Sequence, residues 1–171
     1  LAVKTEKRLI KQQWANFGTL TLTNKIFQRI QTLYVKNKSW KDAYKTIPLN
    51  LRQMFVAAYQ SYVWNECIKL IIEKQCPELI SVTYKVGELS FYKTLSDDEK
   101  KKIPKKFPLI TPTIKLTDAE KEVVDTVLKK ESITLADFDI KSESGTFFKP
   151  GERPVLVTPL DFSMTKPAPD E

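Results

Sequence analysis

Between Pro48 and Pro77 runs the stretch that most constrains what this chain can fold into. Proline cannot continue a helix, and it biases the residue before it towards extended backbone, so the pattern predicts one long helix over about 49–75. Its middle, residues 55–66, reads FVAAYQSYVWNE: four large aromatics, two alanines and the polar groups Gln60, Ser61, Asn65 and Glu66. At about 100° per residue, Trp64 and Gln60 fall on one side, Tyr59 and Val63 on another, Ala58 and Tyr62 on a third. A surface helix keeps one polar face, and this one has almost none. It is therefore expected to be the spine of a core, packed on several sides. Ala58, Ser61 and Asn65 are small or short and would let a neighbouring element come close. Gln60 and Asn65 would need buried partners, because an unpaired buried amide costs roughly 1–3 kcal/mol.

Around this helix the punctuation is local. Residues 3–15 have a helical pattern that ends before Phe17-Gly18. Thr23 or Asn24 can cap a second helix through Val35, with Ile26, Phe27, Ile30, Leu33 and Tyr34 at three- and four-residue spacing. Ser39-Trp-Lys-Asp42 opens a short helix that must stop before Pro48. Residues 80–93 switch to β-rich composition, and Gly87 between Thr83–Val86 and Leu89–Tyr92 signals a hairpin. Ser96-Asp-Asp-Glu99 and Thr117-Asp-Ala-Glu120 are capping boxes, the first opening a helix that Pro104 ends, the second a helix to about Lys130. Two prolines make residues 107–115 an irregular or edge segment. TFFKPGERPVLVTPLDFS reads as two extended pieces around a Pro150-Gly151 turn, and the tail TKPAPDE as disordered. Helices come first and a mixed half follows, so the fold class is α+β.

With 171 residues, the chain can bury one core, or one domain plus part of another. It opens on Leu1 rather than a methionine, which reads as a fragment or a trimmed chain. No apolar run approaches the roughly 18–20 residues of a membrane span, and no signal-peptide pattern opens it. Cys67 and Cys76, nine apart in one predicted helix, are too far apart along the axis to bridge. Two such ligands make no zinc site, so they are expected to be reduced core residues of a cytoplasmic protein. Histidine is absent, which removes Ser-His-Asp and Cys-His catalysis, His-ligated metals and the usual proton shuttle near neutral pH. No GxGxxG or GxxxxGK[ST] is present, and four glycines hardly build a phosphate-cradling loop, so no nucleotide cofactor is expected.

Charge is unevenly spread. Residues 1–50 carry ten Lys or Arg against Glu6 and Asp42, a balance of +8, whereas the chain as a whole is at +7. Trp14, Phe17, Phe27, Tyr34 and Trp40 interleave with those cations, which suits a surface that meets phosphates. Lys4, Lys7, Arg8 and Lys11 on the first helix, and Lys25 and Arg29 four apart on the second, are the candidate RNA-binding residues. A lysine-rich face that is merely solvated reads equally well. The cluster Lys100–Lys102 is offset by Asp97, Asp98 and Glu99 just before it.

The word AYQSYVWNE, preceded by IPLNLRQMFVA, resembles the helix signature of TruD-type pseudouridine synthases, which isomerise a uridine in tRNA. Its motif residues here are Tyr59, Gln60, Ser61, Tyr62, Trp64 and Asn65. Lys41-Asp-Ala-Tyr-Lys-Thr-Ile-Pro48 resembles the lead into that helix, and the Gly87 passage, the TDAE-capped helix and GERPVLVTPLDFS follow in the family's order. The resemblance implies an insertion domain over residues 1–148 and the start of a return into a catalytic domain over 149–171. It implies a catalytic aspartate in a Gly-x-Lys-Asp-Arg segment. The one Lys-Asp pair here, Lys41-Asp42, is flanked by Trp40 and Ala43, so Asp42 is expected to serve a helix cap and not as nucleophile. No catalytic residue is assigned to this chain. The implied activity is isomerisation of uridine, uridine 13 being the expected position, on tRNA or another structured RNA, without cofactor or metal. The motif itself is expected to be structural, with direct RNA contact by Tyr59, Tyr62 or Trp64 as the alternative. Taken alone, the chain could also be a non-catalytic RNA-binding or protein-interaction module.

Overall fold

The computed structural model describes residues 14–84, 87–140, 145–157, 160, 161 and 163. The expected helix over 3–15, with Lys4, Lys7, Arg8 and Lys11, falls almost wholly outside them, and the tail 165–171 wholly so. The architecture is mixed α+β, as expected. After a 3-10 segment, Trp14–Thr19, come the helices α1 (Lys25–Asn37), α2 (Trp40–Lys45) and α3 (Leu49–Gln75). Strands β1 (Leu79–Tyr84) and β2 (Gly87–Tyr92) follow, then α4 (Asp97–Lys102), β3 (Lys106–Pro108), α5 (Asp118–Lys130), a 3-10 turn Leu135–Phe138 and β4 (Glu152–Pro154).

Local chemistry accounts for most of these boundaries. The Asn24 side chain accepts from the N–H groups of Ile26 and Phe27, and Ser39 Oγ accepts from the N–H of Asp42. Ser39 is thus the cap of α2, and Asp42 contributes its N–H and its charge to the first turn. Both expected capping boxes form: Ser96 with Glu99, and Thr117 with Glu120. Hydrogen bonds from Ser96, first from its N–H and then its hydroxyl, hold the Glu99 carboxyl below the usual carboxylate range. The helix α3 runs from the residue after Pro48 to two residues before Pro77, which leaves Cys76 just beyond its end.

Two expectations about strands change. The hairpin is longer than expected, and Gly87 is not the centre of its turn: it pairs with Tyr84 at the end of the ladder, whose other end joins Leu79 to Tyr92. The piece GERP pairs as β4 with β3 (Lys106↔Pro154, Phe107↔Arg153, Pro108↔Glu152), whereas TFFK forms no strand. The first 3-10 segment also continues past Phe17-Gly18 to Thr19.

The described residues gather into two compact units, and the division falls inside α3. The first runs through Tyr59 and takes Asp137–Phe148. Its buried apolar residues are Phe17, Leu22, Ala43, Val56 and Phe138. Arg52 is buried there too, with Nε donating to the Ile47 carbonyl at 3.0 Å and its guanidinium 5.6 Å from the Tyr44 ring centre. Gly145 adopts φ 83°, a left-handed conformation costly for a side chain, and a Cβ there would meet Leu49 at 3.4 Å. The second unit takes Gln60–Ala136 and the residues from Lys149 onward. Its core is built from Val63, Cys67, Ile71 and Ile72 of α3, Val124, Val127 and Leu128 of α5, and Ile103, Phe107 and Ile110. Each of the Val, Leu, Ile and Phe side chains among them contributes about 1.5–3 kcal/mol through removal from water.

Candidate nucleic-acid interface

The motif helix divides along its length. Within the first unit, Met54, Phe55, Ala57, Ala58 and Tyr59 are exposed, so α3 is not enclosed all round as its composition suggested. Arg52, Val56, Gln60, Val63, Cys67 and Ile71, three or four apart, form the buried stripe. Tyr59 stays at the surface with its ring 6.3 Å from Phe138. Ala58, expected at a close contact, is exposed, and Ser61 is half-buried.

From Gln60 onward the motif's polar groups hold neighbouring backbone in the second unit. Gln60, 4% exposed, donates from Nε2 to the carbonyls of Ile110 and Lys149, each at 2.9 Å. Trp64 Nε1 donates to the Phe107 carbonyl at 3.0 Å, and Arg153 lies 5.8 Å over the Trp64 ring. Tyr62 donates its hydroxyl proton to Glu131 at 2.8 Å. That bond, together with burial and the carboxylate's charge, pushes the phenol well above its ordinary value. Asn65 departs from expectation: it is half-buried and lines a groove of about 210 Å³ with Trp64, Lys69, Phe91 and Tyr92.

The partner of one neighbour of the motif was not legible in advance, whereas the cysteine beside it is the reduced core residue expected. Glu66 is buried and accepts from Lys130 Nζ of α5 at 2.9 Å, a bond that raises the lysine's pKa. A lone carboxylate in an apolar stretch signals that a partner must exist, but not which one. Beside it, burial and the Glu66 charge push the Cys67 thiol up to about 12, and burial followed by Glu99 raises that of Cys76. Both cysteines are buried and free, and such thiols are poor nucleophiles.

The basic residues of the first unit lie on α1 and α2. Lys25 and Arg29 are exposed, and Lys36 falls in the same column of α1, spanning about 16 Å along the axis. Phe27, Ile30 and Tyr34 occupy the opposite side. No acid occurs in α1, and Lys25 sits at its first position, where the backbone dipole is already positive. A local stability argument would place an acid there, whereas an anion-binding surface would not. Between residues 14 and 59 the acidic side chain is Asp42, exposed in the first turn of α2. By contrast, Lys100 pairs with Asp97 at 3.2 Å and Lys101 with Asp98 at 2.9 Å, so that cluster is neutralised on its own helix. Lys4, Lys7, Arg8 and Lys11 lie outside the described residues. Among the described residues no group of three His, Cys, Asp or Glu could hold a metal ion, and no helix is long and apolar enough to cross a membrane.

Residues 11–169 match the family model for tRNA pseudouridine synthase D (TruD). "Probable tRNA pseudouridine synthase D 2" of Methanocaldococcus jannaschii is 32% identical over 99% of this chain and 42% of its own length. "Probable tRNA pseudouridine synthase D 1" of Methanococcus maripaludis is 31% identical over 99% of this chain and 46% of its own. "tRNA pseudouridine synthase D" of Aquifex aeolicus is 29% identical over 57% of this chain and 26% of its own. No solved structure matches the chain. It thus spans less than half the length of the first two relatives. On the strength of the family model and the two archaeal relatives, the chain belongs to the TruD family.

Proposed function

We propose that this chain is the RNA-binding insertion domain of a cytoplasmic tRNA pseudouridine synthase that isomerises uridine, at position 13, to pseudouridine. Residues 1–148 form the insertion domain and 149–171 begin the return into the catalytic domain. The observation that carries the reading is the acid-free basic face of α1 in a chain that belongs to this family. Lys25 and Arg29, together with the candidates Lys4, Lys7, Arg8 and Lys11 that lie outside the described residues, engage phosphates of the tRNA backbone, which positions the substrate without reading its sequence. The motif side chains Gln60, Tyr62 and Trp64 act as clasps within the fold, since their polar atoms are occupied by protein partners. Asp42 is a helix-start residue, and the catalytic aspartate belongs to a Gly-x-Lys-Asp-Arg segment that this sequence does not contain. That carboxylate promotes release of the uracil and its re-attachment through carbon, after the base has left its stack.

Two measurements on the 171-residue chain test the reading. Filter binding should show tRNA affinity falling by orders of magnitude between about 50 and 200 mM salt. Chemical labelling of pseudouridine in a uridine-13-containing transcript should show no turnover above a no-protein control. Turnover would place the chemistry inside this chain, and absence of tRNA binding at low salt would leave the lysines as a solvated face.

A further inference from the structure

We propose that the outer edge of β1 is an interface at which a second copy of this chain adds its own β1, antiparallel and related by a two-fold axis at Ser81. The two hairpins then form one sheet continuous through both chains. The inference is independent of the RNA-binding reading above, since it uses none of the basic residues of α1.

The hairpin of the second unit has an inner and an outer strand. In β2, Glu88, Leu89 and Ser90 are half-buried, and Ser90 Oγ donates to Glu73 of α3 at 2.8 Å. Every residue of β1 from Leu79 to Thr83 is exposed, Ile80 at 49% and Val82 at 47%. The direction of the main-chain groups follows from one bond at the open end of the hairpin. Lys93 N–H donates to the Glu78 carbonyl at 3.1 Å, which makes Glu78 and Lys93 a hydrogen-bonded pair. Such pairs alternate along an antiparallel ladder, so Ile80, Val82 and Tyr84 bond to β2. Leu79, Ser81 and Thr83 therefore turn their N–H and C=O groups away from it, and among the described residues the sheet has no third strand.

An open row of donors and acceptors recruits strands, and proteins guard such edges with a lysine, a proline or a bulge. The strand LISVTY has none of these: it is uncharged and pairs with β2 without a break. What it fits is itself. An axis at Ser81 sets Ser81 against Ser81 of the second copy and Leu79 against its Thr83, joining the outward groups in about six main-chain hydrogen bonds. Between these, Ile80 meets Val82 of the second copy in the closer, non-hydrogen-bonded pairs, where β-branched side chains pack well. They share a face with Phe91, itself 48% exposed, so the apolar surface becomes continuous across the axis. No like charges meet, and the flanking Glu78 is already paired with Lys93 of its own hairpin at 3.4 Å. The register is also selected. Moving the axis to Ile80 sets Pro77, which has no N–H, opposite Thr83, and moving it to Val82 leaves Leu79 beyond the end of the facing strand. An uncharged edge offers RNA phosphates nothing, whereas a matching strand gains the whole ladder.

Sedimentation equilibrium of the full chain, from dilute to concentrated protein, tests the interface. The contact is smaller than a permanent one, so the apparent mass should climb with concentration from that of one chain towards twice that value. Over the same range, amide exchange read residue by residue should slow at Leu79, Ser81 and Thr83, whose N–H groups are open in a single chain. Ser81→Pro removes an N–H that β2 does not use, so it should keep the thermal melt and hold the mass at one chain. Ile80→Lys with Val82→Lys leaves the main chain untouched and crowds cations across the axis. It should give the same result, and it decides the matter if the proline variant does not fold. A mass that stays at one chain at every concentration overturns the proposal. So does a dimer that either folded variant leaves intact, or one whose formation slows none of the three amides.

Discussion

Gln60 Nε2 donates to the carbonyl of Ile110 at 2.9 Å, across fifty positions of sequence, and the same nitrogen reaches Lys149 at the same distance. One amide thus holds two irregular backbone segments whose carbonyls no strand satisfies. Within the second unit it acts as a clasp beside Pro112 and Pro150, which have no N–H of their own to donate, and it adds to the backbone bond from Leu109 to the Gly151 carbonyl.

Replacing that amide should be costly in proportion to what it strands. Gln60→Leu removes the donor and leaves the Ile110 carbonyl buried without it, so a loss on the order of 1–3 kcal/mol is expected. Gln60→Glu should cost more at neutral pH, because a buried carboxylate would face two carbonyl oxygens. Urea melts of both variants check this. A Gln60→Glu protein as stable as Gln60→Leu at pH 7 and no steadier at pH 4 would contradict it.

Trp64 and Tyr62 should rank below Gln60. Trp64→Phe keeps most of the ring but deserts the Phe107 carbonyl, an expected loss of about 1 kcal/mol. Tyr62→Phe frees Glu131, which is only half-buried and can turn to water, so less than about 1 kcal/mol should be lost. Chemical denaturation of the pair, with unchanged m-values, gives the ranking.

Stability should fall in alkali. The thiols of Cys67 and Cys76, the Tyr62 phenol and the Lys130 ammonium all have folded pKa values above their ordinary ones. Each binds its proton more tightly when folded, so its contribution is complete below the unfolded value and is lost as pH rises past it. The decline should begin near pH 8.5 with the thiols and continue towards the Cys67 value of about 12. Cys67 alone accounts for roughly 1–2 kcal/mol by pH 10. Unfolding free energies measured from pH 7 to 10.5 should show this slope, and Cys67→Val should flatten it.

Charge reversal should separate the two basic clusters. Lys25→Glu with Arg29→Glu should lower tRNA affinity and reduce the salt slope by about two ions' worth. Reversing Lys100–Lys102 should matter less, because Asp97 and Asp98 already pair with Lys100 and Lys101. Salt titrations of the two variants decide the matter. Equal losses would mean that net charge governs binding and no located face does.

Among the described residues the sequence by itself determined where the α-helices begin and where α3 stops, because those points depend on atoms a few residues apart. Asn24, Ser39, Ser96 and Thr117 cap within their own first turns, and Pro48 and Pro77 bound α3 whatever surrounds it. Family membership was legible for a similar reason, since a run such as AYQSYVWNE keeps its order however it packs. Tertiary structure alone decided the rest. It pairs Lys106–Pro108 with Glu152–Pro154, because a three-residue ladder is chosen by what the intervening chain brings alongside, not by its own composition. It buries Gln60 and leaves Asn65 half-buried and Ala58 exposed, though all three sit in one helix of nearly uniform apolarity. It joins Glu66 to Lys130 and Tyr34 to Trp40, contacts whose partners depend on where α5 lies and how sharply Lys38 turns the chain. Local backbone chemistry needs no neighbours to act, whereas the burial of a side chain is a property of everything packed around it.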